Sequence, residues 1–175
     1  MHMAKYGQVF ACMCMVYLLG HGLHTAQAQH TIRSCKPSDL SVHFYDGQGE
    51  FNGMSHSGAW IVLFNHSASR CTMPVVPQIL LEDAQAHVLA TGKPGQSLSG
   101  QKLRQTILRP HVQWRASMYW VSGDVYDGGH CVTPMRAVLK FPVGDLGVDF
   151  PQRTLCGPAS GDILFEQGQL QQIPR

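Results

Sequence analysis

Apolar and polar side chains alternate residue by residue along much of the chain. Leu40, Val42 and Phe44 are apolar, with Ser41 and His43 between them. From Val112 to Val121, Val112, Trp114, Ala116, Met118 and Trp120 point one way, and Gln113, Arg115, Ser117 and Tyr119 point the other. Arg136 to Phe141 repeats the pattern with Ala137, Leu139 and Phe141 inward. A period of two places successive side chains on opposite faces of a sheet, so each segment reads as a strand with one covered face. Ala59 to Phe64 is apolar throughout, as expected of a central strand covered on both sides. Shorter candidates are Gln78 to Leu81, His87 to Ala90, Gln105 to Leu108, Leu146 to Phe150 and Asp162 to Phe165.

Turn formers separate these segments at Asp46-Gly47-Gln48-Gly49, Glu82-Asp83-Ala84-Gln85, Thr91 to Gly95 and Asp127-Gly128-Gly129. After residue 28, no segment of ten or more residues carries a helical stripe. Eight or nine short strands at this spacing predict one all-β domain, an antiparallel β-sandwich. Composition agrees. Charged residues are only 14% of the chain while Gly and Pro together number 28, which disfavours a helical bundle. A net charge of +2, with 13 Lys and Arg against 11 acids, argues against a nucleic-acid-binding protein.

The first 28 residues follow a different logic. Lys5 is their only charge, Val9 to Leu19 form an apolar run, and Ala26-Gln27-Ala28 is a small-x-small site. A charged start, a short apolar run and an A-x-A end are the pattern of a cleaved signal peptide. The run is shorter than the 18 or so apolar residues a transmembrane helix needs. Val9-Phe10-Ala11-Cys12 faintly resembles a lipobox, but Cys12 opens the apolar run, whereas a lipidated cysteine closes it. The expected organisation is a signal peptide over 1–28, one β-sandwich domain over 29–166 and a polar tail over 167–175. The exported product, periplasmic or secreted, would begin at Gln29 with no transmembrane segment.

Cleavage removes Cys12 and Cys14 and leaves Cys35, Cys71, Cys131 and Cys156. An even count in an exported chain predicts two disulfides, for which three pairings exist. Hairpin arithmetic favours one of them. The turn near Val143-Gly144 lies midway between Cys131 and Cys156, and Gly53 lies midway between Cys35 and Cys71. Paired residues in a hairpin keep a constant sum of positions, so the expected bonds are Cys35–Cys71 and Cys131–Cys156. No C-x-x-C occurs after residue 28 to support a zinc site.

Several of these landmarks fall in a recognisable order. Cys35-Lys-Pro-Ser-Asp39-Leu40 precedes the first strand, and Asn65-His-Ser67-Ala-Ser-Arg-Cys71-Thr-Met-Pro74 follows the central one. Ile79 to Asp83, Arg109-Pro110, Trp120, Cys131 and Cys156 come after. The chain thereby resembles a family of exported bacterial proteins, many of them lipoproteins, classed as a domain of unknown function. The resemblance spans roughly Cys35 to Cys156 and implies an immunoglobulin-like sandwich in the cell envelope, with no reaction attached. Local chemistry accounts for the motif residues as well. Asn65 and Ser67 end a buried strand and can cap backbone groups in the turn. Pro74, Pro77 and Pro110 stand at strand ends or edges, where a missing N–H is harmless.

Candidate catalytic chemistry is sparse. Ser55-His56 is a serine–histidine neighbour pair, but G-x-S-x-G is not met and a nucleophile elbow needs a strand–turn–helix setting. Adjacent turn residues seldom present Oγ and imidazole for proton transfer. Asp124, Asp127, Asp145 and Asp149 lie in or near glycine-rich loops, where aspartate usually caps backbone. Seven histidines remain after cleavage: His30, His43, His56, His66, His87, His111 and His130. Met54, His56, His66 and Met73 form the one soft-ligand set that would suit copper(I), although no H-x-H or H-x-x-x-H spacing accompanies it. Scattered surface histidines explain the pattern more simply, and no cofactor is expected. The function expected is that of a non-catalytic binding module for a protein or glycan partner, with Tyr45, Tyr119 and Tyr126 as contact residues. A periplasmic copper-binding protein is the alternative, and an unrecognised hydrolase a weaker one.

Overall fold

The computed structural model describes residues 31–92, 104–123 and 125–174. The expected signal peptide, its cleavage site, His30 and Asp124 lie outside the described residues. The described chain forms thirteen strands and no α-helix. They are β1 (Leu40–Tyr45), β2 (His56–Asn65), β3 (Cys71–Pro74), β4 (Ile79–Glu82), β5 (Val88–Gly92), β6 (Gln105–Leu108) and β7 (Gln113–Val121), then β8 (His130–Val132), β9 (Arg136–Lys140), β10 (Asp145–Asp149), β11 (Leu155–Gly157), β12 (Ile163–Gln167) and β13 (Gln171–Gln172). Single turns of 3-10 helix at Pro37–Asp39 and Gly47–Gly49 flank β1.

All nine segments with the alternating or apolar pattern are strands, within a few residues at their ends. The four additional ones, β3, β8, β11 and β13, are two to four residues long. So short a strand shows no measurable alternation, and its neighbours in space define it instead.

Nine strands make one sheet in the order β1-β2-β7-β12-β5-β4-β9-β10, with β13 also on β7. This sheet curls nearly into a barrel. Phe44 of its first strand packs edge-on against Phe150, just beyond its last, with ring centroids 5.0 Å apart. Two small antiparallel sheets, β3–β6 and β8–β11, complete the fold. The expected wholly antiparallel sandwich is therefore corrected in two respects. The main sheet is continuous through nine strands, and it is mixed, because β12 runs parallel to β5 with Ile163 opposite Ala90. Side-chain alternation is the same in either direction, so it carries no information on strand polarity.

The core follows the alternation closely. Ile61, Leu63, Leu81, Ala116, Met118, Leu139, Ile163 and Phe165 are fully or almost fully buried. Most of the expected polar tail belongs to this domain. Gln167 ends β12, Leu170 is buried with its N–H donating to the Val75 carbonyl at 2.7 Å, and β13 pairs with Trp114 and Arg115. One buried leucine and a strand edge in need of partners hold a segment that looks polar in sequence.

Both disulfides join the cysteines that hairpin arithmetic pairs, Cys35–Cys71 and Cys131–Cys156. The routes differ from a simple hairpin extension. β9 and β10 turn about Pro142-Val143, with Lys140 opposite Asp145. Cys131 and Cys156 then face each other in the separate β8–β11 sheet, two positions off that register. At the other bond the chain before β1 reverses, so that Ser34 lies parallel to Thr72 and the Cys35 N–H donates to the Thr72 carbonyl at 2.8 Å. Two disulfides point to an extracytoplasmic protein, because a reducing cytosol rarely sustains them.

Asp39 anchors this reversal. Its carboxylate, almost buried, accepts from the Arg33 guanidinium at 2.6 and 2.9 Å and from the Lys36 N–H at 2.7 Å. The Arg33 hydrogen bonds hold the Asp39 pKa below its ordinary value against the opposing effect of burial. A carboxyl whose pKa is depressed by folding stabilises the native state above its unfolded pKa of about 4, and that contribution is lost as pH falls through the native value. Asp39→Asn is expected to cost about 1 kcal/mol at neutral pH, limited by the exposure of Arg33. Thermal melts of both proteins across pH check this. The gap should narrow below about pH 4, and a gap that widens there would contradict the assignment.

Candidate functional site

The site is built on the outward face of three adjacent strands. Antiparallel register sets His56 of β2 opposite Val121 of β7, and Gly58 opposite Tyr119. On the other side of β7, Tyr119 faces Glu166 of β12. Tyr119, Val121, Leu164 and Glu166 are thus neighbours on one surface, since residues two apart share a face.

Gly58 has a specific part in this surface. A Cβ there would lie 2.4 Å from the Met118 carbonyl oxygen and 2.6 Å from the Phe51 ring, so only glycine lets that ring settle on the strand. Phe51 packs edge-on against both Trp60 and Tyr119, with centroids 5.4 and 5.1 Å away. Trp60 is further held by the Arg115 guanidinium, 3.9 Å from its ring, and by donation of its Nε1–H to Glu50 at 2.8 Å. This assembly flanks the Tyr119 ring on one side.

Loops tie the neighbouring segments together. The N–H groups of Ser122 and Gly123 donate to the Ser55 carbonyl, tying the turn before β2 to the end of β7. His130 Nδ1 lies 2.9 Å from the Pro158 carbonyl, linking β8 to the segment that follows β11. The result is a cleft of about 630 Å³ lined by His56, Tyr119, Val121, Tyr126, Asp162 and Glu166, with Leu164, Trp120 and the Cys156–Pro158 segment completing it. Its volume lies within the range of small-molecule sites. Trp120 is nearly buried and donates its indole N–H to the Thr154 carbonyl at 3.1 Å, so it belongs to the floor.

The residues expected from sequence are distributed unevenly about this cleft. Tyr119 and Tyr126 line it, whereas Tyr45 stands on β1 opposite Trp60, outside the lining. The soft-ligand set is not brought together. Met54 is fully exposed, Met73 is buried in β3, and His56 and His66 lie at opposite ends of β2, about 30 Å apart at the ordinary strand rise. Alternation sends Met73 inward beside Cys71, which is why sequence proximity misleads there. Among the described residues, no three His, Cys, Asp or Glu side chains cluster as metal ligands would.

Ser55 Oγ and His56 Nδ1 come within 3.1 Å, closer than expected for neighbours in a turn. A Ser-His-carboxylate system orients the imidazole through its second nitrogen. Neither Asp145 nor Asp46 supplies that carboxylate. Asp145 pairs with Lys140, and Asp46, although outside the expected set, accepts from the Gln48 N–H at 3.0 Å as a turn cap.

Asp162, Leu164 and Glu166 are the lining residues that sequence reading missed. Their period of two, from Asp162 into β12, was visible, but nothing local placed that face beside Tyr119.

The family model described as "Domain of unknown function (DUF4232)" matches residues 35–163. The chain belongs to this family. The match begins at Cys35 and ends at the first residue of β12, so both disulfides and much of the cleft fall inside it. No curated protein and no solved structure matches the chain.

Proposed function

We propose that this member of the family is an exported, non-catalytic binding module of the periplasm or the extracellular space. It would be related to immunoglobulin-like sandwiches, and its partner, a protein or a glycan, would engage the cleft. The observation that carries this reading is the cleft itself, where the partly exposed Tyr119 and Tyr126 stand beside polar groups. Concave sites of this kind favour ligand capture, and aromatic side chains with polar handles are common at contact surfaces.

Capture from envelope extract with the mature domain tests the reading, using wild type, Leu164→Arg and Tyr45→Ala. Leu164→Arg introduces a long charged side chain at the cleft, and Tyr45→Ala alters an exposed tyrosine outside it. A partner retained by wild type and Tyr45→Ala but lost from folded Leu164→Arg is the expected outcome. Equal retention by all three would overturn the cleft as the contact site. A hydrolase reading draws support only from the Ser55–His56 contact at 3.1 Å. Ester turnover abolished by Ser55→Ala would establish it in place of the binding role.

A further inference from the structure

We infer that the end of the domain opposite the cleft docks on an anionic lipid surface, where Arg70 and Arg109 receive phosphate headgroups. Such docking is independent of what the cleft binds. Arg70 and Arg109 continue the β3–β6 ladder one step beyond Cys71 and Leu108, which face each other. Cys71 and Leu108 are wholly buried, so alternation turns the next residue on each strand outward with Thr72 and Ile107, and both arginines are exposed. Asn65 fixes their backbones. Its Nδ2 group donates to the Ser69 and Leu108 carbonyls, each at 3.0 Å, and those carbonyls directly precede the two arginines. Neither arginine has an ion-pair partner among the described residues.

Like charges opposed across a ladder destabilise it, so a fold that locks two arginines there gains only when an anion joins them. The nearby acids are already committed. Asp39 holds Arg33, and Asp145 holds Lys140 at the β9–β10 turn, where a Cβ on Gly144 would lie 3.7 Å from Pro37. Lys36 adds an exposed cation next to Cys35, which is bonded to Cys71. Guanidinium forks match the oxygens of a phosphate, and two forks share this face. Apolar side chains stand among the cations. Ile107, 42% exposed, lies on the face of the arginines, and Val143, 65% exposed, caps the turn beside Pro37. A soluble polyanion offers these side chains nothing, whereas the headgroup layer of a bilayer accepts basic groups and apolar tips together. His56 and the cleft lie at the far end of β2, about 30 Å away, so docking leaves the cleft open to solution.

Co-sedimentation of the mature, disulfide-intact protein with vesicles tests the inference. The probes are phosphatidylglycerol mixed with phosphatidylcholine, phosphatidylcholine alone, and soluble polyphosphate. The protein should bind the mixed vesicles, release them as salt is raised, and ignore phosphatidylcholine alone. Arg70→Gln and Arg109→Gln should each weaken binding about fivefold, the contribution of one basic side chain at an anionic surface. Ile107→Ser should weaken binding to the mixed vesicles and leave any affinity for polyphosphate unchanged. Arg153→Gln, at an exposed cation paired with Asp46 beyond the other end of β1, should alter neither. Both Arg70→Gln and Arg109→Gln should melt no lower than wild type, because each removes a like-charge contact. A clear loss of stability in either would assign the pair a structural role and overturn the inference. Failure to bind the mixed vesicles would overturn it, as would equal binding to phosphatidylcholine alone or binding unaltered in both arginine variants. Polyphosphate bound while vesicles are ignored would overturn the lipid surface and assign the arginines to a soluble phosphate polymer.

Discussion

Replacing Cys35 and Cys71 together by alanine is expected to lower the melting temperature by about 8–16 °C. The bond spans 36 positions, and closing a loop of that length removes unfolded-chain entropy worth about 4 kcal/mol. For a domain of this size each kcal/mol corresponds to about 2–4 °C. The native state loses more than a tether, because both cysteines are buried beside the reversal that Asp39 anchors. The Cys131–Cys156 bond closes a shorter loop of 25 positions, and replacing both cysteines should cost slightly less, about 3.5 kcal/mol. Calorimetry on the two double variants measures both. Under mild reductant with differential alkylation, Cys131–Cys156 should open first, since Cys131 is exposed whereas Cys35 and Cys71 are covered. Preferential loss of Cys35–Cys71 would show that burial does not protect that end.

Asn65→Ala is the second large effect, at about 3–5 kcal/mol. Asn65 is completely buried, and its side chain uses both ends. The Nδ2 group donates to the Ser69 and Leu108 carbonyls, each at 3.0 Å, and Oδ1 accepts from the Ser67 N–H at 3.0 Å and the Ser67 hydroxyl at 2.7 Å. One residue therefore joins the end of β2, the following turn and the end of β6. Truncation strands several of these groups, and each buried group without a partner costs about 1–3 kcal/mol. Asn65→Asp should be at least as damaging, because it places a carboxylate against two carbonyls. Ser67→Ala removes only part of the network and should cost about 1 kcal/mol. Denaturant unfolding gives all three values. A loss below about 1 kcal/mol for Asn65→Ala would mean that the turn satisfies itself another way.

Much of the fold was legible because strand alternation is local. Leu40, Val42 and Phe44 announce β1 without reference to any other residue, and the capping potential of Asn65 and Ser67 is a property of their side chains. The disulfide pairs were legible for a related reason, since hairpins bring residues at a constant sum into contact. The arithmetic tolerated its own error. Between the paired strands and the second disulfide, one arm has two more residues than the other, and the β8–β11 sheet absorbs the difference.

The candidate site was less legible. Tyr119 and Tyr126 were identifiable as outward or loop tyrosines, and His56 as the neighbour of Ser55 and a member of the soft-ligand set. Nothing in the sequence distinguished Tyr45, which stands apart, from Tyr119, which lines the cleft. The soft-ligand set is not brought together, because closeness in sequence says nothing about a residue's face or about which end of a strand it occupies.

By itself, the sequence determined that the chain is all-β, where nearly all the longer strands lie, which faces are covered, and that four cysteines form two bonds. Each follows from interactions between residues close in sequence or from the narrow geometry of a hairpin. Only the tertiary structure decided that β12 lies parallel to β5 and antiparallel to β7, that the main sheet curls nearly shut, and that the last residues join it. It alone set Asp162 and Glu166 beside Tyr119 and Tyr126. Those outcomes depend on how distant strands share one core, and a strand's alternation records that it has a buried face without recording which neighbour covers its edges.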